Sequence, residues 1–205
     1  MATKLNFIWI SLVLAVIMSC HKLCVPRSFS FSGGLANVLP NRDSIRIGDT
    51  IFFNCSIPLN FKYWAGGSDS ANYTLSGAKN VETDIHLTSP LGVNEQTAAA
   101  DSFLFLPRKG SITTNPLAPH AAKTISFIEE SDNYTFSTQM VALKKGVYYL
   151  AIVDIYQAMK NCDRVSVAIT MNNKDGHLHY LKDIYYGGGM IDQIDSTHSY
   201  CFKVY

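Results

Sequence analysis

The chain has 205 residues, with 17 basic and 16 acidic side chains, and only 16% of it is charged against 47% hydrophobic. That balance excludes an intrinsically disordered chain, which needs low hydrophobicity and high net charge. It also excludes a nucleic-acid binder of the basic kind, because no net positive field exists to collect phosphates.

Residues Met1 to Met18 place one cation, Lys4, before a run of about fourteen mostly apolar residues, the length of a signal-peptide core. A spanning helix needs roughly 20. The segment closes on Ile17-Met18-Ser19-Cys20, which resembles a bacterial lipobox. Cleavage before Cys20 would leave lipid on its sulfur and amino group, and several acyl chains anchor stably where one is marginal. The alternative is an ordinary signal peptide cut near Ser19 or after Cys20. Loss of residues 1–19 removes Lys4 and leaves a neutral chain, so long-range steering of a charged partner is not expected. Residues 20–28 read as a tether and 29–205 as a single domain.

From Phe29 onward the pattern has period two. Phe29 to Ser32 alternates until Gly33-Gly34 interrupts it. Ser44 to Ile47 alternates, Gly48-Asp49 turns the chain, and Thr50 to Ile57 continues. Short strands are expected at Asp84–Thr88 and Ser102–Leu106, and Lys123–Ile128 alternates around Ile125 and Phe127. Tyr134, Phe136, Thr138, Met140 and Ala142 hold alternate positions in a longer run. Val147 to Ile155 is almost wholly apolar and reads as a central buried strand. Val165, Val167 and Ile169 alternate, and Ser199–Val204 closes the chain. Helical signal is limited to 93–101 and 176–184, both too short to build a helical core. The expected fold is an all-β antiparallel sandwich, immunoglobulin-like, with one or two short helices.

The five cysteines are Cys20, Cys24, Cys55, Cys162 and Cys201. With Cys20 assigned to lipid, four remain in an exported chain, where disulfides are permitted. Three connectivities are open and spacing does not select one. We favour Cys162–Cys201, tying down the last strand, with Cys24–Cys55 tethering the N-terminal segment. The absence of CxxC or CxxH pairs argues against a zinc site.

Catalytic and cofactor motifs are weak. His177 and His179 form an H-x-H pair, but nothing in the spacing brings His86, His120 or His198 to them. Asn172 to Gly176 suggests a calcium loop superficially. Met171 and Lys182 stand where such a loop needs acids, so the segment reads as a turn. G-x-S-x-G is absent, and Gly187 to Gly189 lacks the Lys-Ser/Thr of a phosphate loop. No cofactor and no metal are assigned. Asn54, Asn72 and Asn133 fit N-x-S/T, which matters only for a eukaryotic source. Aromatic residues offer a different means of recognition: Tyr63-Trp64 beside Gly66-Gly67, and Tyr185-Tyr186 before Gly187, are the binding candidates. The long loops 64–72 and 107–122 are where an active site would sit if the protein were an enzyme.

Ser19-Cys20, the segment Asp43-Ser44-Ile45-Arg46-Ile47-Gly48-Asp49-Thr50-Ile51 with Ile57-Pro58, Gly146-Val147-Tyr148-Tyr149-Leu150, Asn161-Cys162, Asn172-Asn173 and the closing Tyr200-Cys201-Phe202-Lys203-Val204 carry a family resemblance. The chain resembles small cell-envelope lipoproteins of Bacteroidota. The resemblance implies a protein lipid-anchored at the bacterial outer membrane, with the membrane as one partner and a protein, peptide or glycan as another. Its motifs are structural and bring no activity with them. The rival expectations are a periplasmic or secreted enzyme and an extracellular eukaryotic glycoprotein.

Overall fold

The computed structural model describes residues 25–64, 70–92, 95–173 and 197–205. Its strands, in chain order, are β1 (Ser28–Leu39), β2 (Ser44–Ile45), β3 (Thr50–Pro58), β4 (Asn60–Trp64), β5 (Ser70–Thr74), β6 (Glu82–Gly92), β7 (Glu95–Ala98), β8 (Phe103–Lys109), β9 (Ser111–Thr114), β10 (Ala122–Ser126), β11 (Ile128–Glu129), β12 (Asn133–Ala142), β13 (Gly146–Ile152), β14 (Ile155–Lys160), β15 (Asp163–Met171) and β16 (Ser199–Val204). The first sheet runs β11-β12-β3-β1-β15-β14, with β8 also on β12. The second runs β2-β16-β13-β6-β10-β9, with β7 on β6. The β4–β5 hairpin stands apart.

The period-two runs become the two inner faces, as the pleat requires. In β12 every second residue is buried, from Tyr134 through Phe136, Thr138, Met140 and Ala142. Ile51, Phe53, Cys55 and Ile57 of β3 do the same beside it. Across the core stand Ile85 and Leu87 of β6, Tyr148, Leu150 and Ile152 of β13, and Tyr200, Phe202 and Val204 of β16. The expected β-sandwich is therefore present. Most pairings are antiparallel, but β1 lies parallel to β15, and β2 parallel to β16.

The parallel pair spans the chain. Gly33-Gly34 does not end β1. A bulge between Ser32 and Gly34 absorbs the irregularity, and pairing with β15 continues to Ala36 opposite Met171. Beyond Met171 the ladder is continued by a side chain. The buried Asn173 accepts from Val38 N–H through Oδ1 at 2.7 Å and donates to Val38 C=O through Nδ2 at 2.9 Å. A carboxamide holds an acceptor and an N–H donor side by side in one plane, so it stands in for the next residue of a strand, and its second N–H donates to Asn41 Oδ1 at 3.1 Å.

Two expected elements differ. The helix expected over 93–101 is absent from its described residues, 95–101: Glu95–Ala98 pairs with β6 as a strand, and Ala100–Ser102 makes a single 3-10 turn. Pairing with Thr88–Gly92 of β6, beyond the part that β10 covers, outweighs the weak helical preference of so short a segment. The 176–184 helix lies outside the described residues. The apolar run Val147–Ile155 is two strands in two sheets. Val153 N–H donates to Asp84 C=O at 3.0 Å, and Asp154 Oδ1 accepts from Ile169 N–H at 2.9 Å. These bonds satisfy backbone and side chain where the chain leaves the second sheet and enters the first. The run is apolar on both sides of the corner because both halves are buried, so composition does not mark it.

Both expected long loops contain strand residues. Residues 64–72 belong to the β4–β5 hairpin at both ends, and 107–122 contains the end of β8 and all of β9. Gly110 turns the chain between β8 in the first sheet and β9 in the second, with φ +76°. A Cβ there would lie 2.2 Å from Ser126 O and 3.0 Å from Phe136 Cδ2. Gly48 turns the chain between β2 and β3 at φ +85°, and a Cβ there would meet nothing within 4 Å. Asp49 Oδ2 closes that turn by accepting from Arg46 N–H at 2.8 Å.

Gly110→Ala combines a left-handed backbone with a backbone clash and is expected to lose about 3 kcal/mol in urea unfolding. Gly48→Ala, with the strain alone, should lose about 1 kcal/mol. Asn173→Ala strips two buried backbone groups of their partner and should lose about 2 kcal/mol in the same measurement; an unchanged midpoint would remove Asn173 from the ladder.

Candidate functional site

The sequence candidates at 63–64 sit on the β4–β5 hairpin, which covers the N-terminal end of β1. Phe29 and Phe31, two apart on β1, face the same side. Phe31 stacks on Phe61 at 4.5 Å between centroids, and Phe29 meets Tyr63 edge-on at 5.4 Å and Tyr73 at 4.6 Å. Edge-on and offset contacts suit the ring quadrupoles. Tyr63 is half-buried in this cluster, so much of its ring surface serves packing. An open depression of about 580 Å³ runs beside it, lined by residues of β1 and β4. Trp64 is the last residue of β4, paired with Ser70. Tyr185 and Tyr186 lie outside the described residues.

The same end carries an ion pair. Arg27 donates Nε and Nη2 to the two carboxylate oxygens of Asp163, at 3.1 and 2.9 Å, and its guanidinium lies 5.1 Å from the Phe29 centroid. Arg27 C=O also accepts from Arg164 N–H at 2.8 Å. Arg27 and Ser28, which the sequence assigns to a tether, thus belong to the sandwich. The hydrogen bonds from Arg27 hold the Asp163 carboxyl below its ordinary value. Burial pushes the Tyr73 phenol up, and its buried hydroxyl has no hydrogen-bond partner among the described residues.

Both favoured disulfide pairings are wrong. Cys55 and Cys201 are free and buried. Cys55 points into the core from β3 among Phe53 and Ile57. Cys201 is on β16 opposite Tyr149, in the other sheet from the β14–β15 turn that carries Cys162. Sequence order suggested that tying the last strand down was useful; Tyr200, Phe202 and Val204 of β16 face the core, so Cys201 between them is on the face turned away from the first sheet. Cys162 is disulfide-bonded, with neither of these two. Burial raises the Cys201 thiol to about 12 and Cys55 higher still. Cys20 and Cys24 lie outside the described residues.

Histidines do not converge among the described residues, and no group of three or more metal-ligating side chains forms there. His120 Nδ1 meets Asp101 Oδ2 at 2.5 Å on the surface, and this contact draws the Asp101 carboxyl below its ordinary range. His198 Nε2 lies 3.5 Å from Asp154 Oδ1 at the β13–β14 corner. His177 and His179 lie outside the described residues.

A site that sequence reasoning missed lies at that same corner. Register between β14 and β15 shifts between Ile155 and Ala158, so two residues, Tyr156 and Gln157, form a bulge on the edge strand. Ile155 and Ala158 are fully buried, while both bulge residues are exposed and Tyr156 retains 61% of its surface. Bulges at sheet edges re-aim side chains in this way. Tyr156 and Gln157 line two hollows. One, of about 240 Å³, is walled by Glu82, Asp84, Thr124 and Asp154; the other, of about 330 Å³, by Asn80, Met159 and Arg164. The Asp84 carboxylate is held in place by Thr124 Oγ1 at 2.7 Å and Asn115 Nδ2 at 2.7 Å. Ile155-Tyr156-Gln157-Ala158 shows no turn residue, so the sequence gives no sign of the bulge.

The outer face of the first sheet is a second surface. Asn54 Nδ2 donates to Asn37 Oδ1 at 3.2 Å, and Ser137 Oγ donates to Asn54 Oδ1 at 2.7 Å, forming a polar row across β1, β3 and β12. Asn54, one of the three N-x-S/T positions, is therefore engaged in mid-sheet. A shallow hollow of about 340 Å³ lies over this row.

No protein-family model matches the chain, and no curated protein matches it. Among solved structures, the reeler domain of human F-spondin is similar over 75% of this chain and 94% of its own, with 11% identity and a TM-score of 0.39.

Asp163→Asn should destabilise the protein at neutral pH. The ion pair's contribution is present above the ordinary Asp value of about 4 and lost as pH falls through the depressed folded value. The gap in melting temperature between wild type and variant is thus expected to close under acid; a constant gap would mean that charge is not involved. Alkylation should leave Cys55 and Cys201 untouched in the folded protein and modify both in denaturant without reductant, as peptide mapping would read.

Proposed function

We propose that the chain is an exported protein anchored through lipid on Cys20 at the bacterial outer membrane, with a binding or structural role played by its sandwich. The observation that carries this reading is the join between signal and fold. The apolar segment ends at Ser19-Cys20, and only seven residues later Arg27 is held by Asp163. Seven extended residues reach at most about 25 Å, so a lipid on Cys20 would hold the Phe29–Tyr63 end of the sandwich against the membrane surface. Loss of Lys4 with the signal leaves the remaining chain neutral, which suits recognition by shape and aromatic contact over charge steering. The exposed Tyr156 groove and the polar face of the first sheet are surfaces available for that recognition.

Mass spectrometry of the mature N-terminus is expected to find a triacylated or diacylated Cys20. Cys20→Ala should move the protein from the membrane to the soluble fraction. An unmodified N-terminus following Cys20 would overturn the anchor.

A further inference from the structure

We propose that the groove divided by Tyr156 binds a neutral saccharide. The proposal goes beyond the anchored-protein reading and holds whether or not Cys20 carries lipid.

Tyr156 is held in an unusual posture. A tyrosine on a strand of a sandwich ordinarily gives its ring to cross-strand packing. Here the bulge turns the ring out to 61% exposure, while Ile155 and Ala158 on either side are fully buried and hold the backbone. The result is an aromatic face fixed at its base and open to solvent. Such a face matches the C–H face of a sugar ring, which is apolar and slightly positive against the negative π cloud.

The lining suits hydroxyls. Sugar hydroxyls donate and accept within one small arc, so they are met best by planar groups with paired atoms. Glu82, Asp84 and Asp154 line one side of Tyr156, and Arg164 with Asn80 the other; Asp154 Oδ1 also accepts from Ile169 N–H and lies 3.5 Å from His198 Nε2. The Gln157 amide is shared by both hollows. Asp84 is already oriented by Thr124 and Asn115, so little ordering remains to be done on binding. The hollows, at about 240 and 330 Å³, lie just below and at the small end of the range of ligand sites, room for a short piece of a chain.

The same lining disfavours other ligands. Acids on one side and an arginine on the other repel part of any polyanion or polycation. An apolar peptide anchor would find only Met159 and Val153. Uncharged polyols satisfy both sides without burying an unpaired charge.

The test is affinity electrophoresis of the exported chain through gels containing one neutral polysaccharide each: a galactomannan, an arabinoxylan, a mixed-linkage β-glucan and a starch. At least one is expected to retard the protein. Tyr156→Ala should weaken that retardation by about tenfold or more, equivalent to about 1.4 kcal/mol, while Tyr156→Trp keeps it. Gln157→Ala should weaken it less, and Tyr63→Ala should leave it unchanged. Because Tyr156 and Gln157 are exposed, melting temperatures of their variants should stay near wild type; should Tyr156→Ala unfold, Gln157→Ala decides. Retardation by none of the four polymers would overturn the proposal, as would retardation insensitive to both groove variants. Retardation abolished by EDTA would also overturn it, by assigning the three carboxylates to a cation.

Discussion

The parallel pairing of β1 with β15 is the constraint on which the rest of the sandwich depends. It brings the first strand of the domain beside one that begins more than 130 residues later, in the middle of the first sheet, where both are buried on their inner faces. Parallel neighbours have no hairpin to hold them. Their register must come from the ends, and it does. Arg27 and Asp163 form a two-bond ion pair where the ladder starts, and the Asn173 carboxamide takes both backbone groups of Val38 where it stops. With β1 fixed, β3 pairs on its other side and β12 beyond that, which completes the wall of the core.

That wall is joined to its partner by corners, and the corners place the surfaces of interest. At Val153-Asp154 the chain crosses from one sheet to the other, and the bulge at Tyr156-Gln157 follows immediately. The groove therefore draws Asp84 and Glu82 from the second sheet and Arg164 from the first. The Gly110 corner works on the opposite edge, where Ser126 C=O and Phe136 leave no room for a side chain. The aromatic end is organised differently. The β4–β5 hairpin packs its rings on Phe29 and Phe31, so its tyrosines are shared between packing and surface.

Alternation made much of the fold legible. Tyr134 to Ala142 and Val165 to Ile169 are buried on the expected side because a strand with one buried face must alternate. Alternation says nothing about where a buried run changes sheet, so Val147–Ile155 looked continuous. It also says nothing about partners. Sequence order made Cys162–Cys201 attractive, yet Cys201 is a free thiol on the face of β16 turned away from the core. Asn172-Asn173 read as a turn because a carboxamide acting as a piece of strand has no periodic signature. Of the site residues, Tyr63 was found by its neighbours Trp64, Gly66 and Gly67. Tyr156 was not, since an edge bulge between buried Ile155 and Ala158 depends on the register of a strand pair.

By itself the sequence determined the class: an all-β domain, low in charge, rich in aromatics and preceded by an apolar segment ending in Ser19-Cys20. Those properties are local, set by period, composition and residue order. Tertiary structure alone decided the parallel β1–β15 pairing, the two free thiols, the sheet-crossing corner and the exposure of Tyr156. Each depends on which distant strand lies alongside and in which register, and that information is held by the packed pair, not by either strand.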